Sequence, residues 1–271
     1  LESAFRKLQH HLNESKRIYG HSAALRRSIY LFAAASIFVL TAFTSLLYLR
    51  EGIDLSLELF FWTMPAIIAF CAFTFVNLPF LRDGDGRLPE KLQAANKFTA
   101  IRIFLVPVVF ILLLRGRATL GVILYMVAIF TDVVDGHLAR RLHQGSLMGT
   151  MLDPVGDNML TLALFLFLFL QGTVPFWLFA LLVVRYLQFF IGFALLALLD
   201  AVPRLRATIA GKVVGAVQAI GILVLLADTL FRLPVSFEGL RIYVFVVLGA
   251  AFSFVMASQT VIGWRALMRK Y

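Results

Sequence analysis

The sequence predicts an all-α polytopic membrane protein that crosses the bilayer eight times, with both termini on the cytoplasmic side. Three observations predict it. The 271 residues are 61% hydrophobic, with a mean hydropathy of +0.90, against roughly 45–50% apolar content in soluble domains. Apolar runs near 28–49, 57–80, 99–114, 118–139, 147–170, 174–199, 207–231 and 239–263 approach the ~20 residues a helix needs to span. Basic residues are also unevenly placed. With the N-terminus inside, the outer loops keep only Arg50, Arg115, Arg117, Arg232 and Arg241. Arg102 and Arg185 lie within spans, and every other Lys and Arg falls inside. The net charge of +10 therefore reads as the positive-inside bias of a membrane protein, not as a nucleic-acid footprint.

Residues 1–27 are polar and basic, which suits a helix on the cytoplasmic surface. Leu1, Phe5, Leu8 and Leu12 follow a helical stripe that Ser15 interrupts. The chain opens at Leu1 with no cleavable signal pattern, so a truncated start is expected. Residues 28–81 hold two spans whose one charged residue, Glu58, lies near an end, as in helices that anchor the protein or pack in a homodimer. Residues 82–98 begin with a Gly- and Pro-containing linker, Arg82 to Glu90, and end in a short juxtamembrane helix over 89–98. Residues 99–271 then form a six-helix domain with short connections. The single cysteine, Cys71, excludes an internal disulfide and a multi-cysteine zinc site.

That last domain carries the polar residues. Asp132, Asp135, Gly136, Ala139 and Arg140 occupy positions i, i+3, i+4, i+7 and i+8 of one helix face. On the next span, Gly149, Asp153 and Asp157 are spaced i, i+4, i+8. A short connection makes the two helices antiparallel neighbours whose stripes can meet. The acids then lie on the order of 5–15 Å below the cytoplasmic helix ends, a depth suited to lipid headgroups. Each carboxylate in a bilayer costs several kcal/mol, and a purely structural ion-pair network would leave most of this charge unbalanced. Carboxylate-only clusters select hard cations such as Mg²⁺ or Mn²⁺. A metal beside Arg140 and a spare carboxylate is the equipment of phosphoryl transfer. A cation transporter is the non-enzymatic alternative. It requires polar residues leading out in both directions, whereas the outer halves of 118–139 and 147–170 are apolar.

The run Asp132-x2-Asp135-Gly136-x2-Ala139-Arg140-x8-Gly149-x3-Asp153-x3-Asp157 resembles the signature of the CDP-alcohol phosphotransferases at every defined position. The resemblance covers roughly residues 89–265, a six-helix core to which the first two spans are an addition. It implies transfer of a phosphatidyl group from CDP-diacylglycerol to an alcohol acceptor, with release of CMP. It also implies a site facing the cytoplasm, in a bacterial inner membrane. By the same resemblance, Asp132, Asp135 and Asp153 bind divalent metal on the pyrophosphate. Asp157 is the base for the acceptor hydroxyl and a ligand of a second ion. Gly136, Ala139 and Gly149 would line the cytidine pocket.

Asn96-x2-Thr99-x2-Arg102 resembles the entry to the family's first core helix, where Thr99 and Arg102 could face the pyrophosphate. Gly211-Lys212-x5-Gln218 resembles an element of the phosphatidylglycerophosphate synthase branch. Arg185, mid-span, and Lys212 are candidates for binding a phosphate on the acceptor. Asn158 stands where that branch has a lysine, and Tyr186 where an acidic residue is usual. Glycerol 3-phosphate is the first acceptor implied. Phosphatidylglycerol, as in cardiolipin synthases, comes next, then inositol phosphate or another polar alcohol.

Overall fold

A computed structural model describes residues 2–82, 86–142, 146–198, 209–231 and 238–268; the side chains of 132–142 and 209–212, among others, lie outside the description. The described residues form helices α1 (Glu2–His21), α2 (Ala23–Glu51), α3 (Ile53–Val76), α4 (Ala94–Leu114), α5 (Ala118–Leu142), α6 (Leu147–Leu170), α7 (Phe176–Leu198), α8 (Ile209–Phe231) and α9 (Glu238–Met268). Among them α2, α3, α4 and long stretches of α6, α8 and α9 are long and apolar enough to cross a membrane. The described apolar parts of α5 and α7, Ala118–Thr131 and Phe176–Gly192, are shorter. The chain divides within α6 into a unit of Leu1–Ala163 and a unit of Leu164–Tyr271.

In the first unit, α1 is tied to the end of α3. Ser15 Oγ donates to the Val76 carbonyl at 2.6 Å, and Arg82 pairs with Glu14 at 2.7 Å. Ser15 and Ile18 are both buried. Ser15 therefore does not interrupt the packed face of α1; it is the polar member of that face and satisfies a helix-end carbonyl. The second span ends before its apolar run does, having begun four residues ahead of it. Helix α3 stops at Val76, and Leu78–Leu81 form a 3-10 turn with Pro79 near its start. Proline lacks the N–H that would continue the α-helical ladder, and Leu78 and Leu81 bury their side chains all the same.

Residues 89–98 differ from the expected surface helix. Gln93 is extended and precedes the first turn of α4, while Leu92 donates its N–H to Ser28 Oγ at 3.0 Å. Both Leu92 and Gln93 are buried. Burial and a long-range hydrogen bond hold this segment against the protein, so the helix starts only at Ala94.

Helix α4 is the hub of this unit, packed between α3 and α5. Phe70 and Phe104 meet edge to face at 5.7 Å within a core that includes Ile67, Ala100 and Leu152. At the far end of α4, Arg115 pairs with Glu58 at 2.7 Å and Arg117 pairs with Glu51. These pairs join the α4–α5 turn to the tight α2–α3 turn, where Gly52 adopts φ +86. A residue with a Cβ rarely takes that angle, which is why glycine stands there.

In the second unit α9 packs on both α7 and α8. A Cβ on Gly249 would stand 3.2 Å from the Trp177 ring, and one on Gly221 would stand 3.0 Å from Leu248. Small residues let membrane helices approach where no water drives them together. Buried Asp228 near the end of α8 is ion-paired with Arg241 at the start of α9.

Candidate active site

The second half of the aspartate motif begins where α6 begins. Ser146 precedes the helix and its Oγ accepts the Gly149 N–H at 3.1 Å, a serine N-cap. Asn96 of α4 holds that serine: its Nδ2 lies 3.2 Å from Ser146 Oγ and 3.2 Å from Gln93 Oε1. Asn96, Thr99 and Arg102 are all buried, at 0%, 1% and 2% exposure. An amide, a hydroxyl and a guanidinium at such depth need partners, and α6 supplies them.

The contacts form a ladder between two helices that run in parallel. Asn96 meets Ser146 at the first rung. Thr99 Oγ1 donates to Asp153 Oδ1 at 2.5 Å at the second. Arg102 Nη1 donates to Asp157 Oδ1 at 2.6 Å at the third. The α4 residues are spaced i, i+3, i+6, so one face of α4 reads one face of α6. Glycines permit the approach. A Cβ on Gly149 would fall 2.8 Å from Asn96 Oδ1, and one on Gly156 would touch Ile103, Thr99 and Arg102 at 3.5–3.8 Å.

Gly149→Ala should accordingly displace Asn96 and loosen the N-cap. We expect a loss of about 1–3 kcal/mol, typical of overpacking a tight site, read as a lower thermal midpoint in detergent. An unchanged midpoint would mean the rung has slack.

The ladder's carboxylates differ from their partners in exposure. Asp153 is exposed, and the Asp157 side chain is 49% exposed against 2% for Arg102. The acids thus stand at the edge of the helix pair with their donors behind them. Two carboxylates one turn apart repel, and a hydroxyl and a guanidinium each offset part of that.

Other sequence-selected residues lie elsewhere. Asp132, Asp135, Gly136, Ala139 and Arg140 are on α5, and the continuous helix keeps them at one-face positions; their side chains lie outside the described residues. The Lys212 side chain does too. Arg185, on α7 in the second unit, donates to Gln218 Oε1 at 2.7 Å and stands over the Phe252 ring at 5.0 Å. Among the described residues it is not ion-paired with a carboxylate. Gln218 in turn donates to the Tyr186 hydroxyl at 3.4 Å, so the position usually acidic here serves to fix the amide that holds Arg185.

Sequence reading missed Ser146, Gln93 and Gly156. A signal existed for the first, since a serine directly before an apolar helical run marks an N-cap. The donor set suits a hard divalent cation, being carboxylate oxygens with no sulfur. Among the described residues no three potential ligands converge, and two of the four motif aspartates lie outside that set.

The sequence profile described as CDP-alcohol phosphatidyltransferase matches residues 92–264. The chain is 31% identical over 157 residues to the CDP-diacylglycerol–glycerol-3-phosphate 3-phosphatidyltransferase of Bacillus subtilis, covering 52% of this chain and 80% of that protein. It is 36% identical over 91 residues to a probable cardiolipin synthase (CMP-forming) of Drosophila melanogaster, 33% of this chain and 28% of that one. It is also 34% identical over 80 residues to a cardiolipin synthase/mitochondrial hydrolase fusion protein of Schizosaccharomyces pombe, 30% of this chain and 13% of the fusion. The match thus spans less than a third of the two cardiolipin synthase relatives. No solved structure matches the chain significantly.

Proposed function

Since this chain belongs to the CDP-alcohol phosphatidyltransferase family, we propose that it transfers a phosphatidyl group from CDP-diacylglycerol to glycerol 3-phosphate, releasing CMP. The observation that carries the reading is the α4–α6 ladder. It presents Asp153 and Asp157 at an exposed edge and fixes both from behind with Thr99 and Arg102. The acceptor hydroxyl oxygen bonds to the phosphatidyl phosphorus, the bond from that phosphorus to the CMP oxygen breaks, and the hydroxyl proton passes to the Asp157 carboxylate. Arg102 sets the direction in which that carboxylate faces.

Asp132, Asp135 and Asp153, with Asp157 shared, would hold divalent Mg²⁺ or Mn²⁺, two ions in this reading. Such ions, when bound, would supply neutralisation of the negative charge on the phosphates of the CDP-lipid. Gly136 and Ala139 leave room for the cytidine and Arg140 holds a phosphate; Gly149, Thr99 and Arg102 support that pocket from the α4–α6 side. In this reading the chain crosses the membrane eight times with both termini and the active site in the cytoplasm, in a bacterial inner membrane. Helices α2 and α3 anchor it or pair it with a second copy.

Glycerol 3-phosphate is favoured by Arg185, whose guanidinium has an amide and ring faces for company. With Lys212, it would receive the acceptor phosphate. The shorter matches to cardiolipin synthases keep phosphatidylglycerol as the second acceptor to test.

The test is CMP release by purified protein with CDP-diacylglycerol, Mg²⁺ or Mn²⁺, and a panel of alcohols, repeated with chelator. Release with glycerol 3-phosphate that stops on chelation is expected. Metal-independent release, or release with none of the panel, would overturn the reading. Arg185→Ala should raise the KM for glycerol 3-phosphate by about tenfold or more and leave that for CDP-diacylglycerol nearly unchanged. Equal turnover of a phosphate-free alcohol by the parent enzyme would rule out the phosphate pocket.

A further inference from the structure

We infer that the corner between α1 and α2 binds the phosphate of an anionic phospholipid, at a site outside the family-matched segment and independent of the reaction centre. A cavity of about 550 Å³ opens there, lined by Tyr19, Arg26, Arg27, Tyr30, Leu31 and Ala34 among others. Helix α2 has 29 residues, about 43 Å of helix, which exceeds the roughly 30 Å of hydrocarbon it has to cross. Its first turns, with both arginines, therefore stand at the polar boundary. From Arg26 to Ala34 the groove climbs about 12 Å along the helix into the apolar stretch. Cations at one end and alkyl side chains at the other match an amphiphile rather than a free anion.

The polar end is built to receive an anion. The Arg26 guanidinium lies 4.6 Å over the Tyr19 ring, which fixes it without neutralising it. Among the described residues neither Arg26 nor Arg27 is ion-paired with a carboxylate. The Tyr19 and Tyr30 hydroxyls are 3.0 Å apart. One phenolic proton serves that contact, so the pair keeps a second proton to donate. Two guanidinium groups and a phenol suit a phosphodiester oxygen pair. Their excess charge prefers a lipid with net negative charge over a zwitterion.

Native mass spectrometry of the full chain in detergent, with equal dioleoyl-phosphatidylglycerol and dioleoyl-phosphatidylcholine, tests this. The parent protein should retain one phosphatidylglycerol in preference to phosphatidylcholine, by about 30-fold if each arginine contributes as basic residues do near a charged membrane surface. R26Q/R27Q should lose most of that preference, whereas R50Q, at the other end of α2, should keep it. Ala34→Trp, which fills the apolar end and leaves both arginines, should lose it as well and decides the matter should the double variant not fold. Retention unchanged in Ala34→Trp or in a folded R26Q/R27Q, no preference in the parent, or displacement of the lipid by millimolar inorganic phosphate would each overturn the proposal. The last outcome would make the corner a soluble-anion site.

Discussion

Asp153→Asn is expected to reduce CMP release on the order of 10³-fold, about 4 kcal/mol of transition-state stabilisation, while leaving the fold intact. The asparagine keeps an oxygen at the position that accepts the Thr99 hydroxyl at 2.5 Å, so the second rung of the ladder survives. Only the charge is removed, and charge is what the proposed role of Asp153 as a metal ligand in phosphoryl transfer depends on. Matching effects are expected for Asp132→Asn and Asp135→Asn. A purified Asp153→Asn protein with a normal thermal midpoint and near-normal turnover would show that this carboxylate holds no metal.

Asp157→Asn should behave differently, because its carboxylate pairs with Arg102 and is also the base in the proposed reaction. Turnover should fall on the order of 10²- to 10⁴-fold, as for loss of a general base, with CDP-diacylglycerol affinity largely retained. The protein should also lose stability, since the substitution leaves the buried Arg102 guanidinium without its 2.6 Å carboxylate partner. Removing one partner of a fully buried pair costs roughly 3–5 kcal/mol; Asp157 is half exposed and water screens it, so about 2 kcal/mol is expected here. Arg102→Leu combined with Asp157→Asn should recover much of the midpoint and none of the activity. Loss of CDP-lipid binding in Asp157→Asn, with stability unchanged, would instead make Asp157 chiefly a ligand of the donor-bound metal.

The two variants separate what the sequence shows of this site from what it hides. Helical spacing alone places Asp153 and Asp157 on one face, because a 3.6-residue period is local. Which helix that face meets is not local. The reading from spacing joined α6 to α5 through their short connection. The described contacts add α4 as a partner, across 54 and 55 residues of sequence, while the facing side chains of α5 lie outside the described residues. Arg102 is equally instructive. As a lone cation in an apolar run it reads as a phosphate ligand, and only its burial against Asp157 shows that it also orients a carboxylate.

By itself the sequence determined the class and the chemistry. Apolar runs of membrane length and a motif of fixed spacing are properties of neighbouring residues, and they survive without coordinates. Tertiary structure decided the rest. It began α4 at Ala94, with the Leu92 N–H held by Ser28, and turned Ser15 from a break in a stripe into a cap for a carbonyl. It also made Gly149 a point of contact with Asn96. Each of these follows from a buried polar group finding its partner far along the chain. In a protein mostly surrounded by lipid, every such group must be satisfied by some other part of the fold, and spacing along the chain does not say which.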